Sequence, residues 1–175
     1  MKALITGGCG FIGSHVARAF VTDGWEVTNL DKLTYAANPA NVAGLAGQPN
    51  YRFIEGDLCD ATVVRDLVAG MDLVLNFAAE THVDRSLLDP AVFARTDVEG
   101  VVCLLEAIRA EIFNVNNALS TLKDKFAIGA IGADDLARAT SSAQVRLQTL
   151  TRELETIPTV AGPFERISGS INNLI

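Results

Sequence analysis

Short apolar runs and helix-like apolar spacings follow one another along the first 110 residues. Four runs have the length and apolar content of strands buried in a parallel sheet: residues 2–6, 26–30, 51–55 and 72–78. Apolar residues recur at helical spacing over residues 11–20, before Gly24, and again over residues 61–69. This alternation of strand and helix predicts a doubly wound parallel sheet with right-handed crossovers.

Two segments of this part follow neither pattern. The stretch between the second and third predicted strands is polar and rich in Ala, Asn, Pro and Gly, which predicts a loop. Residues 82–85 come after the fourth strand and are predicted to form an extended loop. Because His82 and Asp84 are two positions apart on such a loop, they need not face each other, and we assign no catalytic role to them.

Beyond the fourth strand, apolar residues follow a heptad spacing. Alternating steps of three and four residues over residues 98–126 predict one helix from about residue 90 to residue 128. Gly129 and Gly132 then indicate a turn. A second heptad run over residues 136–157 predicts a partner helix, so the two helices are expected to form an antiparallel hairpin.

Charge and residue usage change near residue 111. Residues 1–111 hold 8 basic and 15 acidic side chains, whereas residues 112–175 hold 6 of each. Every Cys, His and Tyr and the single Trp lie in the first part. We therefore predict a half-domain over residues 1–111 and a helical hairpin extension over residues 112–175, whose last stretch, 163–175, is expected to form one more short amphipathic helix.

The overall composition argues against several classes of protein. A net charge of −7 and a pI near 4.7 disfavour nucleic-acid binding, which needs clustered Lys and Arg. No apolar run approaches the roughly 20 residues of a membrane span, and the start of the chain does not resemble a signal peptide. Three cysteines at no metal-ligand spacing predict no metal site and a reducing, cytoplasmic setting.

Gly7, Gly10 and Gly13 form a G-x-x-G-x-x-G motif between the first predicted strand and the first predicted helix. Glycine suits a turn with unusual dihedral angles, and it allows a diphosphate to approach the backbone and the helix to pack closely on the strand. The N–H groups at the helix start, around Phe11 and Ile12, are then expected to face the anion. The alternative is an ordinary glycine-rich turn with no ligand.

Asp31 ends the second predicted strand, 24 residues after Gly7. A carboxylate at this point can accept hydrogen bonds from both ribose hydroxyls of NAD, and it would repel the 2′-phosphate of NADP. Together with the glycine motif it predicts an NAD site. The expected fold class is α/β, with a truncated Rossmann-like parallel sheet of about four strands that continues into an α-helical hairpin.

Several motifs agree in order and spacing with one known family. They are TGGCGFIG at residues 6–13, DKLTYA at 31–36, GDLCD at 56–60, AAETHVDRS at 78–86, TDVEG at 96–100 and LLEA at 104–107. Through these motifs roughly the first 110 residues resemble the extended short-chain dehydrogenase/reductase family. Within that family the resemblance is to dTDP-glucose 4,6-dehydratases, which act on nucleotide sugars. We recognise no family in residues 112–175.

The resemblance implies a cofactor role at each matching position. Residues 11–12 would contact the diphosphate, residues 31–34 the adenosine ribose, and residues 57–58 the adenine. Residues 77–81 would line the nicotinamide side, with Thr96 nearby. The predicted cofactor-binding residues are Gly7, Gly10, Phe11, Ile12, Gly13, Asp31, Lys32, Leu33, Thr34, Asp57, Leu58, Phe77, Ala78, Ala79, Glu80, Thr81 and Thr96.

Simpler roles stay open at some of these positions. Asp57 could cap the following helix, Thr96 could satisfy a backbone group, and residues 77–79 could belong to the core. Thr81 could also approach a sugar. Asp97 stands where the family usually has Asn, so the hydrogen bonding around it is expected to differ.

The chemistry of the family needs a Tyr general base whose pKa is lowered by a Lys four residues later, and a Thr-Asp-Glu cluster. Tyr35 and Tyr51 are the tyrosines of this sequence, and they are followed four positions later by Pro39 and Glu55. No Thr-Asp-Glu occurs in the sequence. We therefore assign no catalytic residue.

These observations predict an NAD-binding fragment of a nucleotide-sugar dehydratase or epimerase type of protein, fused to a helical segment and inactive alone. One alternative is a structural or interaction protein, a natural or engineered fusion whose hairpin mediates assembly. Its partner would be a second copy or another helix, bound through residues 112–157. The other alternative is a dehydratase-like lyase that another chain completes and that acts on a nucleotide sugar.

Overall fold

The computed structural model describes the backbone of residues 1–156 and the side chains as far as residue 152. The chain divides into two compact units, Met1–Glu111 and a second that begins at Ile112. The short helix predicted over residues 163–175 and the end of the second heptad run at Ile157 lie outside the described residues. Within residues 1–156, no helix combines the length and the apolar content that crossing a membrane requires.

Four parallel strands form the sheet of the first unit, in the order β3-β2-β1-β4. Their bounds are Lys2–Thr6 for β1, Glu26–Asp31 for β2, Tyr51–Glu55 for β3 and Leu73–Asn76 for β4. Strand β1 is central, and its Ala3, Leu4 and Ile5 are fully buried, as expected for a parallel strand covered on both faces. The predicted strands are confirmed, although β4 is shorter than the predicted 72–78.

Two helices connect the strands as the spacing predicts. Helix α1 (Phe11–Thr22) follows β1, and helix α2 (Ala61–Val68) follows β3. Helix α2 begins after Asp60, whose carboxylate accepts hydrogen bonds of 3.0 and 3.1 Å from two N–H groups of the first turn. Asp60 is therefore the residue that caps α2. The alternative that Asp57 caps this helix is wrong.

Two segments that were predicted to be loops contain short helices. Pro39–Leu45 forms a 3₁₀ helix, and the side chain of Asn38 accepts a backbone hydrogen bond at its start. Val83–Leu88 forms helix α3, so the prediction of an extended loop over residues 82–85 is wrong. The carbonyl of His82 accepts hydrogen bonds of 3.1 Å from two N–H groups of α3, which begins the helix directly after this residue.

Helical backbone then continues over the range that the first heptad run predicts. It comprises α4 (Pro90–Phe93), a π-helical segment (Ala94–Glu99) and α5 (Gly100–Ala127). The π segment, in which the helix widens, was not predicted. At Gly100 an added Cβ would lie 3.1 Å from a methyl carbon of Leu58, so the missing side chain lets α5 approach the turn after β3.

The second unit contains the C-terminal part of α5 and helix α6 (Ala133–Thr156). Between them Gly129 adopts a φ of +73°. The N–H groups of Gly129 and Ala130 donate to the carbonyls of Phe126 and Lys125 at 2.9 and 2.8 Å. This pair of bonds around a left-handed glycine is a Schellman cap, which ends α5 and reverses the chain.

The two helices of the second unit face each other along the predicted apolar positions. Together they line a groove of about 250 Å³, which is bounded by Val115, Ala118, Leu119, Leu122, Ala139, Ser142, Ala143 and Arg146. Leu150 of α6 is fully buried. The predicted helical hairpin is confirmed.

Candidate functional site

A groove crosses the carboxyl ends of the strands in the first unit. In an open parallel sheet this edge is where ligands bind, because the loops that follow the strands meet there. The turn after β1, the ends of β2 and β4, and the π segment all contribute to its walls. The lining residues are Thr6, Gly7, Gly10, Leu30, Asp31, Lys32, Thr34, Ala36, Ala37, Gly56, Asp57, Leu58, Phe77, Ala78, Ala79, Glu80 and Thr96.

Gly7 makes the tight turn after β1 possible. Its φ is +68°, a conformation that side chains disfavour, and its N–H donates to the carbonyl of Leu30 at 2.8 Å. An added Cβ would lie 2.5 Å from the backbone nitrogen of Ala78 and 2.6 Å from the carbonyl oxygen of Phe77. The turn therefore requires glycine for two reasons, its backbone angle and the close approach of the segment after β4.

Gly10 and Gly13 bring helix α1 close to this turn. The N–H of Gly10 donates to the carbonyl of Gly7 at 3.1 Å. An added Cβ at Gly13 would lie 2.4 Å from the carbonyl oxygen of Gly7. Real Cβ atoms do not approach another atom so closely, so only glycine permits α1 to start at this point.

The amino terminus of α1 lies at the groove, because Gly10 both lines the groove and precedes the first residue of the helix. Gly10 offers no side chain that could cap the helix, and the first turn contains no acidic residue. The side chains of Phe11 and Ile12 are 78% and 63% exposed. The partial positive charge of this terminus is therefore not balanced by the helix's own side chains, which suits an anion.

Asp31 is almost fully buried at the end of β2, and its carboxylate holds two turns. One oxygen, Oδ2, accepts a hydrogen bond of 2.8 Å from the N–H of Cys9 in the glycine turn. The other, Oδ1, accepts one of 2.9 Å from the N–H of Leu33. Leu33 has a φ of +55°, and its side chain packs against the core. Asp31 therefore stabilises both the turn after β1 and the strained turn after β2.

Asp57 lies across the groove from the end of β2 and carries an ion pair. Its Oδ2 is 2.7 Å from Lys32 Nζ and 3.5 Å from an Arg95 guanidinium nitrogen. Burial alone would raise the pKa of the Asp57 carboxyl. The hydrogen bonds from Lys32 and from the N–H of Cys59, together with the charge of Lys32, outweigh burial and lower this pKa below its ordinary value.

The π segment closes the groove next to the end of β4. The N–H of Glu80 donates to Asp97 Oδ1 at 2.8 Å, and the neighbouring Thr96 lines the groove. The N–H of Ala78 donates to Asn76 Oδ1 at 3.2 Å. An Asn at position 97 could accept the same hydrogen bond through its amide oxygen. Asp97 therefore supplies an equivalent acceptor for the N–H of Glu80.

Most of the predicted cofactor-binding residues line this groove, but a few lie elsewhere. Gly13 packs beneath the turn, Leu33 is turned toward the core, and Thr81 is exposed outside the lining. Phe11 and Ile12 are not among the lining residues either, since their side chains point to solvent. Their backbone N–H groups, at the start of α1, are the groups that suit an anion site.

Several lining residues were not predicted from the sequence: Thr6, Leu30, Ala36, Ala37 and Gly56. Thr6 and Leu30 are paired in the register of β1 and β2. The sequence could have predicted that these two residues line the groove, since both lie at the carboxyl ends of predicted parallel strands, which meet at one edge of the sheet. Asn29 was also missed, a polar side chain that is fully buried in the middle of β2.

The described residues that line the groove include no cysteine and no tyrosine, and its ionisable side chains are those of Asp31, Lys32, Asp57 and Glu80. Burial, followed by the neighbouring Asp31 carboxylate, raises the pKa of the Cys9 thiol to about 11, so this thiol stays protonated at neutral pH. The guanidinium carbon of Arg85 lies 3.8 Å from the centre of the Tyr35 ring. Neither Tyr35 nor Tyr51 lines the groove. Among the described residues, no cluster of three or more His, Cys, Asp or Glu could hold a metal ion.

Sequence comparison finds relatives over the first two thirds of the chain. A family model described as GDP-mannose 4,6 dehydratase matches residues 4–123. The dTDP-glucose 4,6-dehydratase of Streptomyces niveus is 51% identical over 113 residues, covering 61% of this chain and 34% of that protein. The low-salt glycan biosynthesis protein of Haloferax volcanii is 48% identical over 108 residues, covering 61% and 35%. The chain thus spans about a third of the length of the curated relatives it matches.

Solved structures agree with this comparison. DesIV, a dTDP-glucose 4,6-dehydratase from Streptomyces venezuelae solved with NAD bound, has a TM-score of 0.61 and 42% identity, covering 63% of this chain and 36% of that one. The UDP-glucose 4-epimerase of Thermotoga maritima has a TM-score of 0.55 and 31% identity, covering 62% and 34%. The Rossmann-like fold and the resemblance to dehydratases are confirmed. Since the family model covers more than half of its residues, the chain belongs to the GDP-mannose 4,6 dehydratase family.

Proposed function

We propose that the first unit binds NAD through the groove at the carboxyl ends of its strands. The observation that carries this proposal is the glycine turn, in which a Cβ at Gly7 or Gly13 would overlap backbone atoms. Such a turn brings bare backbone and the uncapped start of α1 to the groove, which is what a diphosphate needs. The relatives of this family include a dehydratase solved with NAD bound.

The rest of the groove fits the other parts of the dinucleotide. Asp31 is available to the adenosine ribose, because each of its carboxylate oxygens has a further lone pair beyond its backbone bond. Asp57 and the buried Leu58 provide the side for the adenine. Residues 77–80 and Thr96 provide the side for the nicotinamide. NAD, when bound, supplies a hydride acceptor for oxidation of a sugar carbon.

The charges of the groove favour NAD over NADP. A 2′-phosphate on the ribose would meet the carboxylate of Asp31. Lys32, a cation that could otherwise neutralise that phosphate, forms an ion pair of 2.7 Å with Asp57. We therefore propose NAD as the cofactor and expect weaker binding of NADP.

A titration tests this proposal. In calorimetry the wild-type protein should bind NAD, and Asp31→Ala should weaken binding by roughly 10- to 100-fold, which corresponds to about 1.5–3 kcal/mol for a hydrogen bond to a charged group. The same change should reduce the preference for NAD over NADP. Asp72→Ala is the control, because Asp72 also accepts a backbone hydrogen bond, from Lys2 at 2.8 Å, but at the opposite ends of the strands. No NAD binding by the wild-type protein would refute the proposal.

We further propose that this chain alone does not convert a nucleotide sugar. Neither of its tyrosines is followed by Lys four positions later, and neither lines the groove. The test is to incubate the purified chain with NAD and dTDP-glucose and to measure 4-keto-sugar. We expect no product above the background without protein, and product formed by the chain alone would contradict this part of the proposal.

A second candidate function, assembly through the hairpin, is favoured by apolar side chains that the second unit leaves exposed. Phe113, Ile128 and Val145 are 65%, 81% and 56% exposed. Exposed apolar side chains of this size favour association. Light scattering should therefore detect a homo-oligomer, and Phe113→Asp should shift it toward the monomer. A wild-type protein that is monomeric at high micromolar concentration would exclude assembly of the hairpin with a second copy.

A further inference from the structure

Asn29 is a polar side chain that is fully buried in β2, and its hydrogen bonds reach the turn after β1 and strand β3. Its Oδ1 accepts a hydrogen bond of 3.0 Å from the N–H of Gly8, in the turn after β1. Its Nδ2 donates to the hydroxyl of Tyr51 on β3 at 2.8 Å and lies 3.7 Å from Cys9 Sγ. A buried amide with partners on both sides is costly to replace, because the groups it leaves behind lose their hydrogen bonds.

Asn29 and Asp31 act on the same turn from the same face of β2. Side chains two positions apart on a strand point to one face. On this face Asn29 accepts from the N–H of Gly8, and Asp31 accepts from the N–H of Cys9 at 2.8 Å. Two consecutive N–H groups of the glycine turn are thus fixed by side chains of the second strand.

The contact between Asn29 and Gly8 is also closely packed. An added Cβ at Gly8 would lie 2.2 Å from Asn29 Oδ1, so the amide occupies the space where a side chain would begin. The amide has one satisfactory orientation. If it were reversed, its NH₂ group would face the N–H of Gly8, and two donors would oppose each other. The Tyr51 hydroxyl accepts from the NH₂ group in the orientation that is present.

Glycines permit the turn, but they do not select it, because glycine adopts many backbone conformations with similar energy. We propose that Asn29 is the positioning residue that selects the conformation of the glycine turn, acting through the N–H of Gly8 and oriented by Tyr51. This inference rests on the proposed function, since the turn is the part of the groove assigned to the diphosphate of NAD. Asn29 itself does not line the groove, so it acts without touching the ligand.

The experiment compares Asn29→Leu and Tyr51→Phe with a matched control. Asn50→Leu is the control, because Asn50 Nδ2 donates to the carbonyls of Val21 and Trp25, both at 2.9 Å, near the start of β3 and away from the glycine turn. Each protein is titrated with NAD by calorimetry, and exchange of the Gly8 N–H with solvent is followed by NMR. The exchange rate reports the turn directly and needs no ligand.

Asn29→Leu should weaken NAD binding about tenfold and speed exchange of the Gly8 N–H at least about tenfold, since one buried hydrogen bond is lost. Tyr51→Phe should change both in the same direction, by about threefold. Asn50→Leu should leave both within about twofold of the wild type, even where it lowers the melting temperature. Equal losses of NAD affinity in the Asn29 and Asn50 variants, or unchanged Gly8 exchange in Asn29→Leu, would overturn the inference.

Two further outcomes are decided by the exchange rate. If the wild-type protein does not bind NAD, the proposed function fails, while faster Gly8 exchange in Asn29→Leu still supports the role of Asn29 in the turn. If Asn29→Leu does not fold, Tyr51→Phe decides. Faster Gly8 exchange in that variant supports the inference, and an unchanged rate contradicts it.

Discussion

The first unit depends on close contacts between particular atoms of the glycine turn, whereas the second unit depends on apolar residues that repeat along two helices. The glycine turn places a would-be Cβ of Gly13 at 2.4 Å from the Gly7 carbonyl oxygen, and it is held by Asn29 and Asp31. In the hairpin, small and medium apolar residues such as Ala139, Ala143 and Leu122 line a shared groove.

The two kinds of packing determine where each unit should be sensitive to substitution. At the glycine turn of the first unit one added methyl group has no space, whereas at Gly24 it does, so the effect of a change depends on the position more than on its chemical type. In the second unit all the apolar side chains pack in the same way along the two helices. The loss of stability on truncating one of them should therefore increase with the burial of that side chain.

The largest effect is expected at Gly7. Gly7→Ala should destabilise the first unit by about 4 kcal/mol, because it adds overlap with the backbone of Ala78 to the strain of a positive φ. Gly24→Ala has the same kind of strain, with a φ of +82°, but an added Cβ there meets nothing within 4 Å. It should cost about 1 kcal/mol. Chemical unfolding followed by the fluorescence of Trp25, which packs against Phe20 at a ring distance of 4.9 Å, measures both. Equal losses would show that the space around Gly7 is irrelevant.

The next effect is expected in the second unit. Leu150→Ala should destabilise the hairpin by about 3 kcal/mol, because Leu150 is fully buried. Val145→Ala, on the same helix and 56% exposed, should change stability by less than about 0.5 kcal/mol. Thermal loss of helical circular dichroism measures this difference.

NAD affinity provides the second measurement on these variants. It should stay within about twofold of the wild type in Leu150→Ala, since the proposed NAD site consists of residues of the first unit alone. A tenfold loss of NAD affinity would contradict the expectation that NAD binding is independent of packing in the second unit.

The smallest effect is expected from charge. The pKa of Asp57 in the folded protein lies below its ordinary value of 3.8, so its ion pair stabilises the fold above that pH and is lost as the pH falls through the lowered pKa. Asp57→Asn should therefore cost less than about 1 kcal/mol at pH 7, and the difference from the wild type should shrink at pH 3. Asp135→Asn, which breaks an exposed pair with Arg138, should have no measurable effect at either pH. Urea unfolding at the two pH values tests this, and a loss that grows on acidification would contradict it.

Strands and long helices of the chain were predictable from the sequence because their apolar residues follow a simple pattern, a continuous run in β1 and a heptad spacing in α5 and α6. Strand β1 is a short apolar run that ends just before Gly7, and the heptad positions Val115, Leu119, Leu122 and Ala143 line the groove between α5 and α6. Helix α3 was not predictable in this way. Its Val83, Leu87 and Leu88 are exposed, so its apolar residues do not mark a buried face.

The candidate site was predictable at positions where the local backbone geometry requires one residue type. It was not predictable at positions whose conformation depends on contacts with residues distant in the sequence. Gly7 and Gly13 follow from the steric needs of the turn. The inward position of Leu33 and the π segment depend on contacts between residues far apart in the chain, such as that between Glu80 and Asp97. Asn29 left no such signal, because β2 also contains Thr28 and Asp31, and only the fold shows that the amide is buried and which groups it binds.

The closeness of Gly8 and Asn29 has a consequence for how this family can diverge. A lineage that acquires any larger residue at position 8 must already carry a smaller one at position 29, because an added Cβ would lie 2.2 Å from the Asn29 amide oxygen. The smaller residue would first leave the Gly8 N–H without its acceptor. Each single step is therefore harmful, and the two positions are expected to be inherited together.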